Sequence, residues 1–281
     1  MQSEITQLHL DLIRELIYKE TGILYEAKKD YALKSRIERR IKASNTKNFR
    51  EYQQLLRTNG DELQNLIEEL TINETYFFRD TNQLKGFQEK ALPLILDEKR
   101  KSNNYSLKIW SAACSTGEEP YTLSMIVHEA IKDISKWRIE ILATDIDRKV
   151  LSIAKKAEYG NRSVKSTPEN FKKKFFIQSQ NYWRVKPEIT KIVKFEHLNL
   201  MDRRAMRSRR GFDFIFCRNV LIYFDDSARR KVVNNFYDAL NPGGFLFLGS
   251  SESVGRITAS FELLKINDFL FYRKPSHGRQ R

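Results

Sequence analysis

The chain has 281 residues, 41% hydrophobic and 31% charged, enough to bury one sizeable core and a smaller second one. No apolar run approaches the roughly 18 residues of a spanning helix, MQSEITQLHL lacks the order of a signal peptide, and two cysteines, Cys114 and Cys217, support neither a disulfide framework nor a metal cluster. A soluble, cytoplasmic protein without a metal is expected, and its formal charge of +14 calls for an anionic partner: nucleic acid, a membrane surface or an acidic protein.

The first 72 residues are charge-balanced and read as helices. LHLDLIRELIYKETG repeats its apolar residues at helical spacing and closes on Gly22, a good terminator. In DYALKSRIERRIKAS, Leu33, Ile37 and Ile41 form an inward stripe, and the spacing puts Arg36, Arg39 and Arg40 on one outward face. FREYQQLLRTNGDELQNLIEELT supplies two more helices, separated by a turn at Asn59, Gly60 and Asp61. A small all-α domain over residues 1–72 is expected.

From residue 73 to 275 the pattern changes to strand and helix in alternation. Strands are expected at LKIWSAA, IEILATD, VKFEHLNL, FDFIFCRN and GGFLFLGS, and FELLKINDFLFYRK adds two short ones joined through Asn267 and Asp268. Apolar strands alternating with helices predict an α/β fold, a mostly parallel sheet of about seven strands covered on both faces. Residues 160–193 interrupt the alternation with a small insertion containing NYWRVKPEI, a strand-like piece.

LKIWSAACSTGEEPYTLSMIV is the most informative run. An apolar strand ends in a loop of small residues and enters a helix headed by Glu118, Glu119 and Pro120, and the next strand stops on Asp145. That order builds a pocket for a nucleoside-bearing cofactor at the carboxyl edge of a sheet. With Gly117 alone the glycine signal is weak, and either glutamate could simply complement the helix dipole. Asp145 is placed to accept both hydroxyls of a ribose, with Asp147 as the alternative or as a helix cap. Arg218, Asn219 and Tyr223 follow the largely apolar strand FDFIFC, where buried sheet needs no such groups. TINETYFFRD, at the junction of the two parts, interleaves Asn73, Thr75 and Arg79 with three aromatics that either wedge across the pocket mouth or pack between domains.

NETYFFRD, SAACSTGEEPYTL, ATDID, FCRNVLIYFD and NPGGFLFLGSSE, in this order over nearly the whole chain, resemble the motif series of the bacterial chemotaxis receptor glutamate O-methyltransferases, the CheR family. The resemblance implies a class I (Rossmann-like) methyltransferase domain with a seven-stranded mostly parallel sheet, a small all-helical N-terminal domain and a small β insertion. It implies S-adenosylmethionine as cofactor, S-adenosylhomocysteine as product and glutamyl methyl esters on receptor methylation helices. It also implies a cofactor pocket lined by Asn73, Thr75, Arg79, Glu118, Asp145, Asn199, Leu200, Arg218 and Asn219, with Arg79 and Tyr223 near the transferred methyl.

Receptor methylation helices are acidic, so the basic face of Arg36, Arg39 and Arg40 is the expected docking surface of a monomeric enzyme recruited to membrane receptor arrays. The insertion, FKKKFFIQSQNYWRVKPEI, is short and lacks the glycine-containing loop of family members that bind a receptor's pentapeptide tether; tether independence is expected. A nucleic-acid methyltransferase is the alternative, favoured by charge, but no RNA-binding module or Asn-Pro-Pro-Tyr-like element is present. A cofactor-sensing adaptor without turnover is the third reading, and Arg79 with Tyr223 argues against it.

Overall fold

The computed structural model describes residues 5–253, 260–266 and 269–276. Four helices come first: α1 (Gln7–Thr21), α2 (Asp30–Ala43), α3 (Phe49–Thr58) and α4 (Gly60–Leu70). Gly22, at φ 72°, terminates α1 in the left-handed conformation that favours glycine. Asn48 and Asn59 cap α3 and α4 by accepting hydrogen bonds from backbone N–H groups of their first turns. The predicted stripe of α2, Leu33, Ile37 and Ile41, is buried with Ile13, Ile17, Tyr52 and Leu66 in a core of its own.

The arginines of α2 do not share one outward face. Arg40 pairs with the Glu62 carboxylate at 2.6 Å, and both side chains are largely buried. Arg36 donates from Nη1 to the Leu70 carbonyl at 2.8 Å. Only Arg39 is exposed, and it meets Glu69. The physical reason is α4, which packs beside α2 and presents its carboxylates and last carbonyl to side chains that the apolar stripe alone leaves pointing at water.

Ten strands follow among the described residues: β1 (Ser106–Ala112), β2 (Arg138–Asp145), β3 (Glu158–Tyr159), β4 (Phe176–Gln178), β5 (Trp183–Val185), β6 (Val193–His197), β7 (Phe212–Cys217), β8 (Leu240–Leu248), β9 (Glu262–Ile266) and β10 (Phe269–Arg273). Seven form one sheet in the order β6-β2-β1-β7-β8-β10-β9. Its first five strands run parallel, and the β9–β10 hairpin closes the edge antiparallel. The hairpin is as predicted, while its expected turn residues, Asn267 and Asp268, lie outside the described residues. Every residue of β7 is buried, as a strand covered on both faces requires. The insertion forms a three-stranded antiparallel sheet, β3-β5-β4. No described helix is long and apolar enough to cross a membrane.

The strand order reverses between β1 and β7, so the loops after β1 and β7 diverge and leave a crevice at the carboxyl edge. The helical domain lies over that crevice. Ile23 bridges Phe224, the Leu24 N–H donates to the Tyr223 carbonyl at 2.8 Å, and Tyr18 donates to Asp225 at 2.7 Å. On the other flank, Gln64 donates to the Ile146 carbonyl at 2.6 Å.

Candidate active site

A cavity of about 240 Å³ occupies the crevice, between the ends of β1, β2 and β7 and the helical domain. Its floor is the loop after β1. Ala113, Ser115 and Gly117 all take positive φ, at 60°, 50° and 93°. A side chain on Gly117 would sit 2.8 Å from the Ala154 Cβ, so the single glycine stands where contact is closest, while Ala113 and Ser115 carry the left-handed strain that richer loops give to glycine.

Asp145 anchors the floor. Its carboxylate accepts from the Ser115 N–H at 2.7 Å and the Asp147 N–H at 2.9 Å. Burial nonetheless raises its pKa to about 6, the backbone donors offsetting only part of the desolvation. Asp147 caps the helix Arg148–Lys156 through the Lys149 and Val150 N–H groups and accepts from Asn73 at 2.8 Å. The second acid of ATDID therefore holds Asn73 in the cavity wall, and the first faces the cavity.

Of the expected cofactor residues, Asn73, Thr75, Arg79, Asp145, Arg218 and Asn219 line this one cavity, together with Tyr223. Three do not. Glu118 is buried and accepts from the Thr116 hydroxyl at 2.6 Å, and burial pushes its carboxyl above the usual range. Its neighbour Glu119 lines the cavity instead, accepting from Ser111 at 2.6 Å and from Arg218 at 3.2 Å. One step along a helix turns a side chain by about 100°, and that rotation separates the two acids. Asn199 and Leu200 also lie off the cavity lining: strand β6 ends at His197, Asn199 donates to the Glu20 carbonyl at 2.6 Å, and Leu200 packs in the core beneath. Asn199 thereby joins the β6 end of the large sheet to the end of α1.

TINETYFFRD divides its labour. Phe77 and Phe78 are buried, edge-on to Tyr159, Phe176 and Phe171 on the insertion side, and Phe78 also reaches the cavity lining, so these aromatics both pack and border the pocket. Tyr76 stays at the cavity, 5.8 Å beneath the Arg79 guanidinium. Arg79 donates from Nη1 to the Glu74 carbonyl at 2.7 Å. Arg218 meets the Arg79 carbonyl at 2.6 Å and Asp80 at 3.0 Å, locking the ends of two distant motifs together.

Sequence reasoning missed the helical domain's share of the wall. Ile23, Leu24, Tyr25 and Arg36 line the same cavity, and Tyr25 donates to the Leu70 carbonyl. No periodicity marks Ile23, Leu24 and Tyr25, where the run after Gly22 reads as a plain interhelical loop, and the helical spacing of Arg36 reads as an outward face.

The lining fits S-adenosylmethionine. Asp145 keeps lone pairs for ribose hydroxyls beyond its two backbone donors, and Glu119 is a second carboxylate for a cationic ligand. Arg218 Nε and Asn219 Oδ1 are buried at the wall without a hydrogen-bond partner, a donor and an acceptor that call for a polar ligand. Among the described residues no group of three or more His, Cys, Asp or Glu side chains is arranged to hold a metal ion.

A family model described as "CheR methyltransferase, SAM binding domain" matches residues 73–270, and "CheR methyltransferase, all-alpha domain" matches residues 8–71. The chain is 38% identical over 278 residues to chemotaxis protein methyltransferase 2 of Vibrio cholerae, covering 98% of this chain and 96% of that one. It is 36% identical over 254 residues to the chemotaxis protein methyltransferase of Borreliella burgdorferi, with 89% of each covered. With that of Escherichia coli it shares 33% identity over 266 residues, 92% and 89% of the two chains. A crevice built for the cofactor, two domain models in register with the two structural parts, and relatives matched almost end to end make this chain a member of the CheR family of S-adenosylmethionine-dependent chemotaxis methyltransferases.

Proposed function

We propose that this enzyme methylates glutamate side chains on the cytoplasmic methylation helices of chemotaxis receptors, giving glutamyl methyl esters and S-adenosylhomocysteine, and that residues 1–72 serve as a docking domain beside a methyltransferase domain of 73–275. The observation that carries the reading is the meeting of Arg79 and Tyr223 with Asp145 and Asn219 on one cavity.

A substrate glutamate, with a pKa near 4.3, is ionised at neutral pH and needs no general base. S-adenosylmethionine supplies a methyl group already activated by its own positively charged sulfur. The chain's task is alignment in a dry pocket. Arg79 commits Nη1 to Glu74, and a guanidinium has five N–H donors, so donors remain to hold one carboxylate oxygen while the other attacks. Burial pushes the Tyr223 phenol above its ordinary pKa, more than the nearby Arg79 charge lowers it, so at neutral pH it is a hydrogen-bond donor to the same carboxylate. Of the docking arginines Arg39 is the one left exposed to an acidic helix, and its solvent-exposed pairing with Glu69 can be exchanged for a receptor carboxylate.

Transfer of labelled methyl to a purified receptor cytoplasmic domain, followed by mild base, is the test. Label released as methanol is the expected result; label that resists base, or that enters RNA in preference to receptor, overturns the reading. The insertion's edge strands, β3 and β4, are only two and three residues long and offer few ladder hydrogen bonds to an added strand. We therefore expect no micromolar binding of a receptor-tail pentapeptide in calorimetry, and a Kd at or below the micromolar range would make the enzyme tether-dependent.

A further inference from the structure

Glu252 closes the last motif, NPGGFLFLGSSE, and nothing in the methyl-transfer chemistry above uses it. Its carboxylate accepts four backbone N–H groups. Oε2 takes Gly249 at 2.6 Å and Asn219 at 2.8 Å; Oε1 takes Val220 at 2.8 Å and Ile222 at 3.3 Å. Three of the four belong to the loop after β7, between Arg218 and Tyr223. Asn219, at φ 61°, holds a left-handed conformation unusual for a side-chain-bearing residue, and its Oδ1 is one of the unpartnered buried acceptors at the cavity. An asparagine tolerates that conformation; a carboxylate gathering the amides on both sides of it selects it.

We infer that Glu252 is a positioning residue for the cofactor and methyl-transfer site: its carboxylate shapes the loop of residues 218–223 so that Asn219 and Tyr223 face the cavity together. Gly249 is the other half of the device. A Cβ there would lie 2.7 Å from Glu252 Oε2 and 2.9 Å from the Asn219 nitrogen, so the cradle exists only while position 249 has no side chain. The geometry demands a carboxylate specifically. A glutamine presents one oxygen and one NH2, and that NH2 meets two backbone donors with no acceptor between them. An aspartate keeps both oxygens at a shorter reach and can be met by a small shift of the exposed Ser251 turn.

The inference rests on Asn219 facing the cofactor and Tyr223 the transferred methyl, so the test separates the two ideas. The full-length E252Q, E252D and G249A proteins are titrated calorimetrically with S-adenosylhomocysteine, giving Kd and the fraction of sites able to bind, and are then assayed for methyl transfer to a receptor cytoplasmic domain. We expect E252Q and G249A to raise Kd at least tenfold with the binding fraction intact, and to lower kcat further. E252D should recover most of both losses. An unchanged Kd with a reduced binding fraction would mean that Glu252 only supports folding and would overturn the inference, as would an E252Q protein within twofold of wild type in Kd and kcat. If wild-type protein binds S-adenosylhomocysteine but modifies no receptor, the substrate assignment fails, and the Kd comparison still decides the role of Glu252.

Discussion

Replacing Asp145 with asparagine is expected to weaken S-adenosylhomocysteine binding by about 100-fold, the loss of two charge-assisted hydrogen bonds at roughly 1.5 kcal/mol each. Both carboxylate oxygens already accept backbone N–H groups, from Ser115 and Asp147. The asparagine NH2 would face one of those donors, so the floor of the cavity loses its shape along with its charge. A Kd within threefold of wild type would remove Asp145 from the cofactor site. The pH dependence gives a second signature. With a pKa of about 6 in the cofactor-free protein, Asp145 is mostly protonated at pH 5 and mostly ionised at pH 7, so affinity should rise about tenfold between them. Stability moves the other way. The folded protein keeps this proton up to about pH 6, whereas the unfolded chain releases it near the ordinary 3.8. The folded state therefore binds more protons in that window, and this group's contribution to stability falls as pH rises through it, by ~3 kcal/mol at most. Affinity increasing while stability decreases between pH 5 and about 6, where the two windows overlap, with both slopes lost in D145N, would identify a single buried carboxylate as their common cause.

The sheet was legible because burial on two faces leaves few choices. FDFIFC can be only a central strand, and LKIWSAA and IEILATD end in residues that a sheet interior would not select. The helical domain was equally plain in its elements, since Asn48, Asn59 and Gly22 punctuate it chemically. What could not be read was anything decided by one element against another. The contribution of Ile23, Leu24 and Arg36 to the cavity depends on a bridge between Ile23 and Phe224, 201 positions apart, for which neither segment carries a local signal. Choosing Glu118 over Glu119 required the rotational phase of a helix against the sheet; both satisfy the dipole equally, and packing sends the first to Thr116 and the second to the cavity. The shared outward face expected of Arg36, Arg39 and Arg40 was misread for a related cause. An apolar stripe says which side of a helix is inward, but Glu62 and the Leu70 carbonyl show that a second, polar side can also be covered. Asp213, within the otherwise apolar FDFIFC, accepts from the Lys108 N–H and Asn241 and pairs with Lys99, and those partners could not be read for the same reason.

Arg79 and Tyr223 should divide cofactor binding from methyl transfer. Arg79 already has structural partners, the Glu74 carbonyl and the Tyr76 ring, and its own carbonyl receives Arg218. A lysine keeps the charge but lacks the fork, so R79K should retain S-adenosylhomocysteine affinity within a fewfold and lose kcat by roughly 100-fold, the scale of removing one oriented donor from a reacting centre. Tyr223 is held by its backbone, through the Leu24 N–H on its carbonyl, so Y223F removes a hydroxyl without releasing the loop. Its expected cost is about tenfold in kcat, with little change in the KM for S-adenosylmethionine. If the two side chains grip one carboxylate, the double variant should fall short of the product of the single losses, because once either donor is gone the acceptor is no longer aligned for the other. A kcat preserved in R79K with a raised KM for S-adenosylmethionine would instead make Arg79 a cofactor ligand. In that case the attacking carboxylate would be oriented by Tyr223 and by the wall that the helical domain supplies, where Arg36 and Tyr25 already share the Leu70 carbonyl.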